Sequence, residues 1–175
     1  ISDLIFHHHF GFVLLDEKPV AIASYFSQEP VANLLFSRTA HAFNFEHSWT
    51  PLENLKQKLN SGNFVFLKKQ SCLAFKDHSS KKITIYEVVI VNKKLFLYIV
   101  ETHLDLFKKK LGSEVTPISL LAQMSRNDTN LLEVLNYNEE LIGILLGYGK
   151  GNALAFKRSL ELAYVIDPNF CEISR

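Results

Sequence analysis

The order of apolar patterns along this chain predicts an α+β fold. It should be a small, mainly antiparallel sheet of about five strands packed by helices, with a C-terminal helical cluster. Two observations carry that expectation. Strand-like runs are adjacent and mostly joined by short polar turns, whereas helical periods enter after the first pair and gather at the end. No internal repeat, low-complexity stretch or long linker interrupts the sequence, so residues 1–175 read as a single domain. Hydrophobic residues make up 47% of the chain, which supports a sizeable core and argues against disorder.

The first apolar run, Phe10-Gly-Phe-Val-Leu-Leu15, is followed by the polar turn Asp16-Glu-Lys-Pro19 and by Val20-Ala-Ile-Ala-Ser-Tyr-Phe26. Two apolar runs split by such a turn read as a β-hairpin, with both arms buried on both faces. Glu29-Pro30 then opens a helix carried by Val31, Leu34, Leu35, Ala42 and Phe43, through about Phe45. A second helix follows Thr50, where Pro51 fits the first helical position and Glu53 can close a capping box. Leu52, Leu55 and Leu59 line its face, and Asn60-Ser-Gly62 ends it.

Residues Asn63 to Lys69 and Cys72 to Asp77 read as two short strands, and Asp77 to Lys82 as a turn or loop. Ile83 to Val91 is rich in β-branched residues and apolar on both faces, which predicts a central strand covered by helices. Asn92 then caps a helix with an apolar stripe from Leu95 and Phe96 to Phe107 and Leu111, stopped by Gly112. Its basic run Lys108-Lys109-Lys110 suits the negative end of the helix dipole. Thr116-Pro117 starts a short helix through Met124, and Asn130 to Asn136 forms another. Asn138 caps a helix running into a glycine corner, after which Asn152 is expected to cap the last helix, Ala153 to about Tyr164.

That corner concentrates four of the chain's seven glycines, at Gly143, Gly147, Gly149 and Gly151. A phosphate loop would need Gly, four residues and then Gly-Lys-Ser/Thr, but Gly149-Lys150 is followed by Gly151 and preceded at the required distance by Ile144. The dinucleotide fingerprint fails on spacing and on the preceding element, a helix. Close approach of two helices, with Gly143 and Gly147 one turn apart on a face, is the structural reading. An anion site made by Gly149, Lys150, Gly151 and Asn152 is the functional alternative.

Other constellations are weaker. In a strand His7 and His9 would share a face and could seat a metal, although solvated or partly packed histidines are the simpler reading. Cys72 and Cys171 form neither a metal pair nor a disulfide framework; free thiols are the default and a bridge between the two is the alternative. Phe64, Phe66 and Phe75 beside Lys68, Lys69 and Lys76 would suit base stacking, but core packing explains them better. With 19 basic and 18 acidic residues no global field favours nucleic acid, and none is expected as a partner. His103 lies on the apolar face of its helix and reads as a boundary histidine. Glu87 stands alone in an apolar strand: edge exposure accommodates it, and an inward side chain would need a Lys or Arg partner.

Phe10-Gly-Phe-Val-Leu-Leu-Asp-Glu-Lys-Pro19, Leu141-Ile-Gly-Ile-Leu-Leu-Gly-Tyr-Gly-Lys-Gly-Asn-Ala153 and the Asn92-Lys-Lys94 helix start together resemble a family of uncharacterised, often multi-copy proteins of obligately intracellular bacteria. The resemblance implies no activity. It implies an exported or membrane-anchored product, which would suit a signal or anchor upstream of Ile1. Without a nucleophile motif, metal shell or phosphate loop, the sequence points to a non-enzymatic interaction domain that needs no cofactor and whose partner is another protein. The alternative is a small-ligand (phosphate or nucleotide) binding protein or enzyme, with Lys150 supplying charge and Asn152 an orienting amide.

Overall fold

A computed structural model describes residues 9–26, 54, 57, 62–74, 82–126 and 130–166. The expected helix from Glu29 to Phe45, the Thr50–Glu53 capping box, the Phe75–Asp77 end of the fourth expected strand, His7 and the tail with Cys171 lie outside them. In chain order the elements are α1 (Phe10–Leu14), β1 (Val20–Phe26), β2 (Phe64–Ala74), β3 (Lys82–Asn92), α2 (Lys93–Thr102), α3 (Leu104–Leu111), α4 (Pro117–Met124), α5 (Leu131–Val134), α6 (Glu139–Leu145) and α7 (Gly149–Ile166). Asn54 and Gln57 are also helical.

The fold is α+β with a small antiparallel sheet in the order β1-β3-β2. Its described part has three strands, in place of the five expected, and two departures from the sequence reading account for the difference. Phe10–Leu14 is a helix, not a hairpin arm. Phe10 and Val13, three apart, face the sheet and are buried, while Phe12 turns outward. An apolar run without a clear period fits a short helix and a buried strand equally well. Likewise β2 runs unbroken from Phe64 to Ala74, pairing with β3 from Phe64↔Asn92 to Ala74↔Lys82. The polar pair Gln70-Ser71 between the two expected strands reads as a break, but hydrogen bonding to an equally long partner carries the strand through it.

β3 is central, as its two apolar faces predicted, and the register sorts its side chains. Val89 and Val91, flanked by Val20 of β1 and Leu67 of β2, face the helices that follow the sheet. Val88 and Ile90 face α1, where Ala21 and Ala23 of β1 leave room for Phe10. Two separate cores therefore sandwich one sheet.

The helix starts follow the sequence closely. The side chains of Asn92, Thr116, Asn130 and Asn138 each accept the amide three residues on, from Leu95, Ser119, Glu133 and Leu141 respectively. Thr116 and Asn130 form reciprocal boxes with Ser119 and Glu133, and Pro117 occupies the first turn of α4. One expected helix is two: the stripe from Leu95 to Leu111 breaks at His103, which ends α2 and precedes α3. Val100 and Phe107 stay buried on either side of the break, so the core face survives it. Gly112, at φ 116°, ends α3 as anticipated.

The link from α6 to α7 is a Schellman turn. The amide of Gly147 donates to Ile144 O (3.0 Å), that of Tyr148 to Gly143 O (3.0 Å), and Gly147 takes φ 81°. Gly149, at φ 75°, opens α7. Asn152 is thus inside the first turn and does not cap the helix, because α7 begins at Gly149, four residues before the expected start at Ala153. Gly143 is where α6 and α7 touch: a Cβ there would lie 2.7 Å from the Cβ of Ala153. Gly147 serves a different contact from the helix pairing expected of it, since its nearest neighbours are Lys18 and Pro19. Among the described residues, no helix is long and apolar enough to cross a membrane.

Candidate functional site

The glycine corner and the loop after α1 meet at one side chain, Lys18. Its backbone is fixed by α1: the amides of Glu17 and Lys18 both donate to Phe12 O, at 2.8 and 3.1 Å. Its stem runs past Gly147, where a Cβ would lie 3.3 Å from Lys18 Cγ, so a side chain at 147 would crowd it. Its ammonium ends over two rings, 5.7 Å from the centroid of Phe12 and 5.4 Å from that of Tyr148. Both distances fall within the range of cation–π attraction. His9 adds a fourth group, its ring 5.7 Å from that of Phe12.

The walls of this cluster are exposed. Phe12 is 42% accessible, Tyr148 49%, and Leu15, three residues beyond Phe12, 72%. Beside Tyr148, the residues Gly149, Lys150, Gly151 and Asn152 are all exposed at the start of α7. They are contiguous on one helical turn, and the peptide dipoles of an 18-residue helix converge there.

A second concentration of charge lies on the sheet. Glu87 sits at the middle of central strand β3, opposite Lys69 of β2 and the backbone of Ser24 on β1. Register places Glu87 on the face of Val89 and Val91, toward the helices, so edge exposure does not describe it. The arrangement is the cross-strand pair that an inward carboxylate requires, with the ammonium nitrogen of Lys69 buried. Burial raises the Glu87 carboxyl above its ordinary value, Lys69 opposes the rise, and Glu133 at the start of α5 adds to it. The first effect is the largest, so the fold holds the ionised form of Glu87 at a cost.

Asn92 organises the junction between these regions. Buried at the end of β3, it caps α2 through Leu95 N (3.1 Å) and donates from its amide to Val13 O (3.3 Å) and to Asp16 Oδ1. Its own backbone N–H reaches Pro19 O at 2.8 Å. A single residue therefore ties the end of α1, the following loop, β3 and α2.

The remaining sequence candidates separate. His9 precedes a helix, with φ 62°, so the strand alternation that would pair it with His7 does not hold there. Among the described residues, no group of three His, Cys, Asp or Glu side chains could hold a metal ion. Phe66 is buried beneath α1 and Phe64 packs against the same core, which closes that face to nucleic-acid bases. Cys72 lies within β2. His103 is half-buried at the α2–α3 break.

The Lys18 cluster was not visible in the sequence: its rings belong to segments far apart, and no local pattern in either one points to the other. Lys69 as the partner of Glu87 was foreseeable only as a residue type, since choosing among the lysines needs the strand register. Comparison of this chain with family models, curated proteins and solved structures finds no match.

Proposed function

We propose that this chain is a non-enzymatic interaction domain whose contact surface is the patch formed by Phe12, Leu15, Lys18 and Tyr148. The observation that carries the reading is the outward placement of these large side chains on two elements that Lys18 bridges. Rings with rigid backbones offer contact area at low entropic cost, and aromatic residues are enriched at interface centres. The rest of the patch supplies a cation and an aliphatic side chain, a composition suited to another protein's surface.

Photo-crosslinking from position 12 of the full chain in its native cell tests this. A discrete adduct with a second protein from position 12, absent from Ile118 on α4 and lost on Tyr148→Ala, is the expected result. No adduct, or the same adduct from both positions, would overturn the reading.

One observation favours a second reading, the binding of phosphate or a nucleotide: Gly149, Lys150, Gly151 and Asn152 are exposed at the positive end of a long helix. A bound ligand raises thermal stability by mass action. Under this reading inorganic phosphate or a nucleotide raises the Tm, and Lys150→Ala removes the rise. An unchanged Tm across phosphate, nucleotides and divalent metals retires it.

A further inference from the structure

We infer that Phe12 and Tyr148 are two walls of a site for a quaternary ammonium group, which Lys18 of the same chain fills in the free protein. The inference rests on the interaction reading of this patch and names the chemistry recognised there. A cation is drawn to the negative face of an aromatic ring, and rings grouped around one point are the usual means of holding a quaternary ammonium. Here two rings from distant elements lie 5.7 and 5.4 Å from one ammonium nitrogen, so the spacing already accommodates a cation.

The walls stand independently of that cation. Phe12 projects from α1, whose opposite face is anchored by buried Phe10 and Val13, and its carbonyl is fixed by two loop amides. The backbone of Tyr148 is held by the hydrogen bond its N–H donates to Gly143 O in the Schellman turn, between two glycines of left-handed backbone. Lys18 reaches the rings through a four-carbon stem with several rotatable bonds, whereas each ring turns about only two. Gly147 keeps the path of that stem clear.

The exchange is favourable for a quaternary head because of hydration. A lysine ammonium is compact and strongly hydrated, with three donors that prefer water. A trimethylammonium group has no donor to leave unmatched and presents methyl groups to the rings. Lys18 has the compensating advantage of tethering, an effective concentration of roughly millimolar or higher that any external cation must overcome. Removing the Lys18 charge should therefore expose the site.

Choline is the probe, titrated into the full chain and followed by the amide and aromatic NMR resonances. Lys18→Ala is expected to bind choline saturably, with shifts centred on Phe12, Gly147 and Tyr148, and the original chain about tenfold more weakly or worse. Lys18→Met, which keeps the stem, should behave as Lys18→Ala does, and adding Tyr148→Ala should abolish the response. The native amide spectrum of each variant establishes that it has folded. Phosphatidylcholine vesicles form a further arm: no co-sedimentation of Lys18→Ala with choline binding intact is the result expected of a trimethylated lysine on a partner protein, and co-sedimentation would assign the head group to a lipid and overturn the protein-contact reading. No saturable response in either Lys18 variant would overturn the inference, as would an equal response to the neutral isostere with carbon in place of nitrogen. Loss of choline binding with the position-12 adduct retained would remove this inference alone and leave the interaction reading intact.

Discussion

Gly143 and Gly151 lie eight positions apart in one glycine-rich segment, yet their substitution should have opposite effects. A methyl group at 143 would meet the Cβ of Ala153 at 2.7 Å and its Cα at 3.1 Å, so α6 and α7 would have to separate. Gly143→Ala is expected to destabilise by about 1–3 kcal/mol, the range for overpacking a tight core. Ala153→Gly in the same chain should return part of that loss. At Gly151, inside the first turn of α7 and exposed, a Cβ would meet nothing within 4 Å. Gly151→Ala should therefore stabilise by about 0.5–1 kcal/mol through the smaller entropy of the unfolded chain. Urea denaturation midpoints measure all three variants. Glu87 yields a prediction of a different kind. Burial, the largest influence on it, raises its carboxyl pKa above the ordinary 4.5, so the folded state holds that proton more tightly than the unfolded chain does. Its contribution is most favourable below the unfolded value and is lost as pH climbs through the raised folded one. Glu87→Gln cannot ionise, so the stability of the variant relative to the parent should improve over the interval in which pH rises above the ordinary carboxyl value of 4.5. A stability difference that does not change over that interval would show that Lys69 fully offsets the burial of Glu87.

Among the elements, α2 starts at a residue that ties it to α1, the loop after α1 and β3. Asn92 caps it, binds the end of α1 through Val13 O and Asp16, and is itself buried. Asn138 caps α6 through Leu141 N at 3.2 Å from a half-buried position. Asn138→Ala should therefore cost about 1 kcal/mol, the ordinary value of a cap. Asn92→Ala should cost about 2–4 kcal/mol, since it also leaves a buried carbonyl without its donor. Comparable losses in thermal or chemical denaturation would mean that the α1 contacts of Asn92 add nothing. The same contrast explains what could be read in advance. Caps involve a side chain and an amide three residues apart, so Asn92, Thr116, Asn130 and Asn138 marked their helices in the sequence alone. Elements defined by distant partners could not be read that way. β2 passes through Gln70-Ser71 because β3 pairs with its whole length, and no local signal records that pairing. Phe10 to Leu15 reads as a strand in the sequence because it is apolar with little period; the sheet face that α1 covers decides its form. Asn152 was assigned as a cap from residue type, whereas the left-handed Gly149 had already set the start of α7. The Lys18 cluster was least legible of all, since Phe12 and Tyr148 come together only once α1 and the corner are both in place.

At the scale of the molecule, the sheet separates two cores of unequal size. One extends through α2 to α7 and includes Phe96, Phe107 and Leu141; the other consists of α1 and one face of three strands. The smaller core has little redundancy, because α1 contributes only Phe10 and Val13 as fully buried side chains. Its attachment is nonetheless what positions Phe12 and Lys18 beside Tyr148, so the exposed patch depends on the minor core. Phe10→Ala should cost about 3–5 kcal/mol if the cavity cannot collapse. The loss should fall unevenly, since stability is distributed in units that can open separately. The amides of Leu15, Glu17 and Lys18 donate to Gly11 O and Phe12 O and report directly on α1. In Phe10→Ala they should exchange with solvent faster by a larger factor than amides of α2, which lies in the other core. Phe107→Ala, which opens the larger core, should instead raise exchange across α2 and α1 together, because losing that core unfolds the sheet on which α1 rests. A uniform rise in exchange for Phe10→Ala would show that the two cores open as one unit. In that case the patch would be as stable as the fold itself, and α1 could not part Phe12 from Tyr148 without global unfolding.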